Sequence, residues 1–290
     1  MLFRDVISDF IKYLTSIDRS KQTINGYRKE LNYFNNYMTE KNNTLVYLED
    51  ITLEDLEAYI LYLKQKGNKS ASRSRVVYIL RSFYNYAVRR DLCSRNLATL
   101  IEPVKVKQED PDYITEKEFN ELRDEIEHPI IKTAVEMMFY SGMRISEVTN
   151  LSKKDVHLDG NNKYIQVVGG KGNKDRKIPL SNKLEEILKH YVEEIRPTID
   201  SDKFFCTERS GGLSNSYINR EIRLAVERLP WGFDKNISAH NLRHSFASNL
   251  IANKAPLSSV KSLLGHQDLR VTSRYIHEDM EQLQDSVNLL

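Results

Sequence analysis

The sequence has few of the residues that cross-link a chain, and it lacks long apolar runs. Two cysteines among 290 residues are too few for a disulfide framework, so we expect a reducing, cytoplasmic setting. Glycine and proline number 11 and 7, and no repeat or low-complexity tract is present. Charges at Arg4, Asp5, Asp9 and Lys12 argue against a signal peptide, and no later run could cross a bilayer. We therefore expect no membrane segment.

The chain also lacks a strong overall charge, but its charge is unevenly placed. The net charge is only +2, which by itself indicates nothing about nucleic acid. The segment from Lys64 to Arg95, however, holds nine basic residues and a single acid, Asp91. A solvated helix face explains most such runs, and a surface that binds phosphates is the alternative.

The composition is that of a globular protein with a core, at 40% hydrophobic and 29% charged residues, and the length suits one large or two ordinary domains. The best boundary is "EPVKVKQEDPDYI", where two prolines bracket a charged stretch without helical periodicity. We predict a helical domain over 1–104, a linker over 105–112, and a second domain over 113–290 that ends in a tail helix.

The hydrophobic pattern predicts a mainly α protein with a small antiparallel β-sheet, an N-terminal helical bundle followed by a C-terminal α+β domain. Capping boxes are expected at Thr52 with Asp55 and at Thr115 with Glu118. A buried helix should break at Ser141-Gly142. The only strand patterns, "KYIQVV" and "RKIPL", are joined by the glycine-rich turn "GGKGNKD".

The basic segment falls on one predicted helix, "ASRSRVVYILRSFYNYAVRR". Its expected buried face consists of Val76, Val77, Leu80, Phe83, Tyr84 and Ala87. Its other face offers cations, hydroxyls and an amide, as a helix set against a DNA backbone or in a major groove requires. The candidate DNA-binding residues are Lys69, Arg73, Arg75 and Arg89.

A second group of polar residues is spread along the C-terminal domain. Arg144 follows a glycine break at a helix start, Lys171 lies in the glycine-rich turn, and His240 and Arg243 share a helix face behind the N-cap candidate Ser238. His266 follows a helix-ending glycine, and Tyr275 lies nine residues further on. The pair His240/His244 suggests zinc, but Asn241 stands where a zincin helix needs glutamate.

We therefore expect neither a metal nor a cofactor. Arginines that bind phosphate oxygens, with a tyrosine that forms a covalent phosphoryl link, are typical of metal-free attack on a phosphodiester.

The segments "YSGMRISEV", "GGKGNKDRKIPL", "HNLRHSFA" and "LGHQDLRVTSRYIH" resemble, in order, the signature boxes of the tyrosine site-specific recombinases, the Xer/phage-integrase family. The N-terminal half, with "SFYNYAVRRDLCSRNLA", is similar to the family's core-DNA-binding domain. The positions that match the family's active site are Arg144, Lys171, His240, Arg243, His266 and Tyr275.

The resemblance assigns a role to each position. The two arginines would bind the scissile phosphate, Lys171 would protonate the leaving 5′ oxygen, and Lys174 is its rival for that role. His240 would assist proton transfer at Tyr275, which attacks to form a 3′-phosphotyrosyl link. His266 would hydrogen-bond the phosphate, whereas Glu147 would orient a neighbour.

The resemblance also implies an assembly: a clamp around double-stranded DNA with inverted half-sites, in a homotetramer or a heterotetramer with a paralogue. The tail, with Leu283, Val287 and Leu290 at helical spacing, would dock on a neighbouring protomer or pack on its own domain. Strands would be exchanged through a Holliday junction to resolve chromosome dimers or cointegrates, or to move a mobile element. We expect an Xer-like enzyme without a separate arm-binding domain.

Three alternatives remain open. They are a DNA-binding regulator without catalysis, a monomeric type IB topoisomerase, and a metal-dependent nuclease, whose activity EDTA would abolish.

Overall fold

The computed structural model describes residues 1–106, 111–168 and 175–265. The chain divides into two compact units, Met1–Glu109 and Asp110–Leu290. None of the helices in these described ranges is both long enough and apolar enough to span a membrane. The cysteines Cys93 and Cys206 are both free thiols.

The first unit is a bundle of four helices: α1 (Phe3–Ser16), α2 (Lys21–Asn42), α3 (Leu53–Gln65) and α4 (Ser70–Arg89). Short 3₁₀ turns at Leu48–Asp50 and Leu97–Thr99 cover its ends. Aromatic rings fill its centre, where Phe3 contacts Phe34 and Phe83 at centroid distances of 5.4 and 5.0 Å. The predicted box of Thr52 with Asp55 starts α3.

The helix that carries the basic segment is α4, and its predicted inner face is confirmed. All six residues of that face are buried, and Ile79 and Tyr86 join them. Tyr78 on the opposite face is 66% exposed. The helix therefore holds the bundle together with one side and presents the other to solvent.

The second unit contains seven helices and three strands among its described residues. They are α5 (Glu116–Asp124), α6 (Pro129–Ser141), α7 (Ile145–Asn150), β1 (Val156–His157), β2 (Tyr164–Val167), β3 (Arg176–Pro179), α8 (Asn182–His190), α9 (Asn215–Val226), α10 (Ala239–Ala252) and α11 (Leu257–Leu264). A π turn at Tyr191–Ile195 continues α8. The predicted fold class, mainly helical with a small antiparallel sheet, is confirmed.

The sheet has the order β1-β2-β3 and is antiparallel throughout. Both predicted strands are present, with Ile165 paired to Ile178 and both side chains buried. The two-residue strand β1 was not predicted, because two residues are too short to show an alternating pattern. Strand β2 ends at Val167 and strand β3 begins at Arg176, and Lys171, between them in the sequence, lies outside the described ranges.

Candidate active site

The site begins where α6 ends. Gly142 caps α6 in the left-handed region at φ 65°, and a Cβ atom there would collide with the ring of Phe246. Glycine is required on both grounds. The chain then turns into α7, whose N-cap is Arg144 in an extended conformation. The predicted break and restart are both confirmed, and they bring the Arg144 guanidinium to the α10 side of the unit.

A buried carboxylate, Glu147, holds Arg144 in place. Its Oε2 accepts from the Arg144 backbone N–H and its Oε1 from the Arg144 Nη1, both at 2.8 Å. Arg176 binds the same carboxylate through two nitrogens, at 3.0 and 2.7 Å. Burial alone would raise the pKa of Glu147, but the hydrogen bonds and charges of Arg176 and Arg144 outweigh it and lower the pKa to about 2. Glu147 is therefore ionised at every working pH.

The second predicted arginine, Arg243, lies almost wholly inside the unit at 3% exposure. Its Nη1 donates to the Gly142 carbonyl at 2.6 Å and its Nη2 to the Leu264 carbonyl at 2.5 Å. These bonds tie α10 to the chain just before Arg144 and to the last residue of α11. These two acceptors are uncharged main-chain oxygens, so the two bonds fix the guanidinium without an opposing charge.

His240 lies on the same face of α10, one turn before Arg243. The predicted N-cap is confirmed, since Ser238 forms a capping box with Asn241. Partial burial of the imidazole lowers the pKa of His240, and the positive charges of Arg243 and Arg144 lower it further. The ring therefore stays neutral, and able to accept a proton, to a lower pH than an ordinary histidine. Its edge packs against the His244 ring with centroids 4.5 Å apart.

Three of the six predicted site residues thus converge: Arg144, His240 and Arg243. The other three are Lys171, His266 and Tyr275. They lie outside the described residues, as do Lys174 and the predicted tail helix. The described chain ends at Gly265, which caps α11 at φ 66°. His266 is the next residue, so the end of α11 fixes the point from which that segment departs.

Sequence patterns missed Arg176, the first residue of β3. It is only 9% exposed, and its third nitrogen, Nε, donates to the Leu263 carbonyl at 2.8 Å. The strand pattern alone gave no reason to expect a buried arginine. The available signal was the acid of the arginine box, Glu147, since a buried carboxylate needs a cationic partner.

The predicted DNA-binding residues lie on or beside the solvent face of α4 in the first unit. Lys69, Arg75 and Arg89 are exposed, and Arg73 is half-buried with its Nε on the Asn68 carbonyl at 3.3 Å. Arg75 has one loose contact with Glu30, at 3.8 Å. Such exposed cations are free to meet phosphates.

An open groove of about 580 Å³ lies beside His240 in the second unit. The polar face of α9 lines it with Asn219, Arg220 and Arg223, opposite the residues from Asn236 to His240. These α9 residues were also not predicted. Their signal was a polar stripe opposite the buried Ile218 and Ile222.

Within residues 1–106, 111–168 and 175–265, no group of three or more His, Cys, Asp and Glu side chains could hold a metal ion. The charged groups that meet at the site are arginines and one carboxylate. Their chemistry is recognition of an anion, with a neutral imidazole at its edge.

Comparison with known proteins agrees with this chemistry. Residues 112–282 match the model of the phage integrase family, and residues 7–91 match the phage integrase N-terminal SAM-like domain. The tyrosine recombinase XerD of Staphylococcus saprophyticus is 29% identical, covering 98% of this chain and 97% of the relative. The XerD of Listeria monocytogenes serovar 1/2a is 31% identical, with coverages of 97% and 96%.

Two solved structures share the fold at lower identity. A λ integrase dimer bound to a COC′ core site has a TM-score of 0.75 at 18% identity, with 95% of each chain covered. The XerH recombinase bound to a palindromic difH substrate has a TM-score of 0.70 at 23% identity, covering 92% of this chain and 79% of that one.

The chain belongs to the phage integrase family and is a tyrosine recombinase. It is an enzyme of site-specific DNA recombination, which breaks and rejoins DNA by transesterification.

Proposed function

We propose that Tyr275 is the nucleophile of this recombinase, and that Arg144, Arg243, Lys171, His240 and His266 form the rest of its active site. The Tyr275 oxygen attacks the scissile phosphorus, forming a 3′-phosphotyrosyl bond, while the bond from phosphorus to the 5′ oxygen breaks. Lys171 gives the departing oxygen its proton, so a free 5′ hydroxyl leaves. Reversal by another strand's 5′ hydroxyl rejoins the DNA and needs no cofactor.

The observation that supports this assignment is that Arg144 and Arg243 lie close enough to His240 for their charges to act on it, while Arg243 also binds the end of α11. The arginines supply two fixed positive charges for the non-bridging oxygens, where charge builds during attack. His240, with its lowered pKa, is the base that helps to take the Tyr275 proton. His266 is the next residue after Gly265, the cap of α11. It completes the set of active-site residues by binding the phosphate.

DNA is held, in this proposal, by two surfaces. The basic face of α4 binds the backbone in the first unit, and the groove beside His240 binds it in the second through Arg220 and Arg223. The λ integrase neighbour is a dimer on a core site, and the XerH substrate is palindromic. By analogy, we infer inverted half-sites and a tetramer on two duplexes, of one chain or with a paralogue. Such a DNA substrate places the enzyme in the cytoplasm.

The test is a covalent trap. The protein first selects its site from a random duplex library. A nicked version of that site, which loses a short fragment on cleavage, is then incubated with enzyme in EDTA. Wild type is expected to accumulate a protein–DNA adduct, and Tyr275→Phe to form none. Tyr47→Phe, which alters an exposed tyrosine of the first unit, is the matched control and should react like wild type.

Each alternative gives a different result. An adduct that persists in Tyr275→Phe identifies another nucleophile. Binding without any adduct in wild type supports the non-catalytic regulator, and strand cleavage that EDTA abolishes supports the nuclease. Relaxation of supercoiled plasmid without synapsis of two sites, measured by gel and by analytical ultracentrifugation, supports the monomeric topoisomerase.

A further inference from the structure

Arg176 uses its whole guanidinium group inside the second unit. Nη1 and Nη2 grip the two oxygens of Glu147, and Nε binds the Leu263 carbonyl. Such a bidentate pair, closed by a third bond, leaves the side chain one orientation. The Arg176 side chain is 9% exposed, and it acts on the active site through the groups that it holds.

The first of those groups is Glu147, which Arg144 shares. If Glu147 had Arg144 as its sole partner, the pair would be neutral, and the phosphate would compete with a buried carboxylate for this arginine. With Arg176 present, two positive charges share one negative charge. The three groups together carry a net charge of +1, and Arg144 is the member that is more exposed, at 26% against 9% and 7%. The surplus charge is therefore presented at the Arg144 end.

The second group is the end of α11. Arg176 holds the Leu263 carbonyl, while Arg243 holds the next one, Leu264. A Cβ atom on Gly265 would lie 3.0 Å from the Arg176 Cδ, so the glycine packs directly on this side chain. Arg176 thereby links β3, the strand that follows Lys171 in the sequence, to the end of α11, which precedes His266.

We propose that Arg176 is a positioning residue: it neutralises and holds Glu147, so that Arg144 keeps a surplus positive charge for the scissile phosphate, and it fixes the end of α11. This inference rests on the proposed function, in which Arg144 binds that phosphate. It adds to that function a residue that acts on Arg144 through Glu147.

The experiment measures single-turnover cleavage of the nicked, library-selected site, with affinity for the intact site and the melting temperature measured alongside. Arg176→Met removes the positive charge and the two N–H donors that bind the Glu147 carboxylate. Affinity should stay within about threefold, while cleavage falls by about 100-fold, the scale of a misplaced catalytic group. Arg176→Lys keeps the charge in a similar volume. Its cleavage rate should fall by about tenfold, because lysine cannot form the bidentate pair with Glu147.

The decisive variant is Arg176→Met combined with Glu147→Gln. It restores the +1 charge around Arg144 with a neutral side chain in the carboxylate's place. Cleavage should recover by about tenfold or more over Arg176→Met alone, a non-additive result of the kind that marks coupled residues. A residue that merely supports the fold predicts no recovery, because the double variant has lost further hydrogen bonds.

Two controls separate the possible failures. Arg196→Met removes an arginine that binds four main-chain carbonyls between Pro197 and Phe204, so it should lower the melting temperature and leave cleavage by the folded protein unchanged. If Arg144→Ala cleaves like wild type, the site assignment itself fails. If Arg144→Ala is inactive but Arg176→Met cleaves within about threefold of wild type, or the double variant is no faster than the single, the role of Arg176 is overturned. Should Arg176→Met not fold, Arg176→Lys decides the point by the same comparison of affinity with cleavage.

Discussion

The arginines on the solvent face of α4 differ from the arginine on α10 that holds the end of α11. On α4 of the first unit, Arg75 and Arg89 stand in solvent, and Arg75 has only a long contact with Glu30. In the second unit, Arg243 is buried, and its nitrogens donate to the Gly142 and Leu264 carbonyls. A cation that meets a DNA backbone gains from mobility and exposure, whereas one that meets a reacting phosphate must be held at one position. In the proposed function, arginine thus has two roles, and the arginines of the two roles differ in burial.

The largest effect should come from making the same exchange in both units. Arg243→Lys keeps the charge but cannot reach the Gly142 and Leu264 carbonyls together. We expect cleavage to fall by about 100-fold or more, as on loss of a preorganised donor. Arg89→Lys should cleave like wild type, because an exposed charge suffices there. Single-turnover trapping measures cleavage by both variants. Equal losses of cleavage in Arg243→Lys and Arg89→Lys would contradict the proposed difference between the two arginines.

A second prediction concerns the buried ion cluster. The pKa of Glu147, about 2 in the folded chain against about 4.3 in a model peptide, makes its ionised form a source of stability. That contribution, roughly 3 kcal/mol, is complete above the unfolded pKa and is lost as the pH falls towards 2. Glu147→Gln should therefore unfold more easily than wild type at pH 7, and the difference should shrink below pH 4.5.

Chemical denaturation at several pH values measures this. The matched control is Glu49→Gln, since Glu49 is an exposed carboxylate paired with the chain's amino group. Screening by solvent should keep its effect small at every pH. A pH-independent loss in Glu147→Gln would mean that packing, and not charge, accounts for the cost.

A third prediction separates binding from folding within the first unit. Arg89→Ala should weaken DNA binding similarly on all sequences and reduce the slope of log affinity against log salt by about one. Arg81→Ala should instead lower stability and leave the slope unchanged, because Arg81 turns inward to the Ala98 and Ile101 carbonyls at 3.0 and 2.8 Å. Filter binding across a salt series checks both; a slope change in Arg81→Ala would place this residue at the DNA.

The smallest effects should be equal in the two units. Thr52→Ala and Thr115→Ala each remove one side of a capping box, at the start of α3 and of α5. Each should cost about 1 kcal/mol of unfolding free energy. Thr44→Ala, outside any helix, is the control for the loss of an exposed hydroxyl. A cost at either cap no larger than that of the control would contradict the prediction.

Local structure was predicted well from sequence patterns. The inner face of α4 was predicted from its spacing because a helix repeats on a fixed period. The caps of α3, α5 and α10 followed from side chains that bond their own backbone within three residues. The break at Gly142 was marked by glycine itself.

Contacts between distant segments could not be predicted from the sequence. Arg176 meets Glu147 across 29 positions and Leu263 across 87, and no local pattern encodes such a pair. Arg81 was indistinguishable from its exposed neighbours, because its partners lie in a later turn. For the site, the residues Arg144, His240 and Arg243 came from motif order, while the buried network that orients them needed coordinates.

The carbonyls of Leu263 and Leu264 have a consequence for the newly made protein. Arg176 is synthesised 87 positions before its acceptor Leu263, and Arg243 is synthesised 21 positions before Leu264. Until the end of α11 emerges, the bonds from the Arg243 Nη2 and from the Arg176 Nε to these two carbonyls cannot form. A chain that terminates before these leucines would have a complete first unit and would still lack the contacts that hold Arg176 and Arg243. For an enzyme that breaks and rejoins DNA, the contacts that hold these arginines are thus completed late in the order of synthesis.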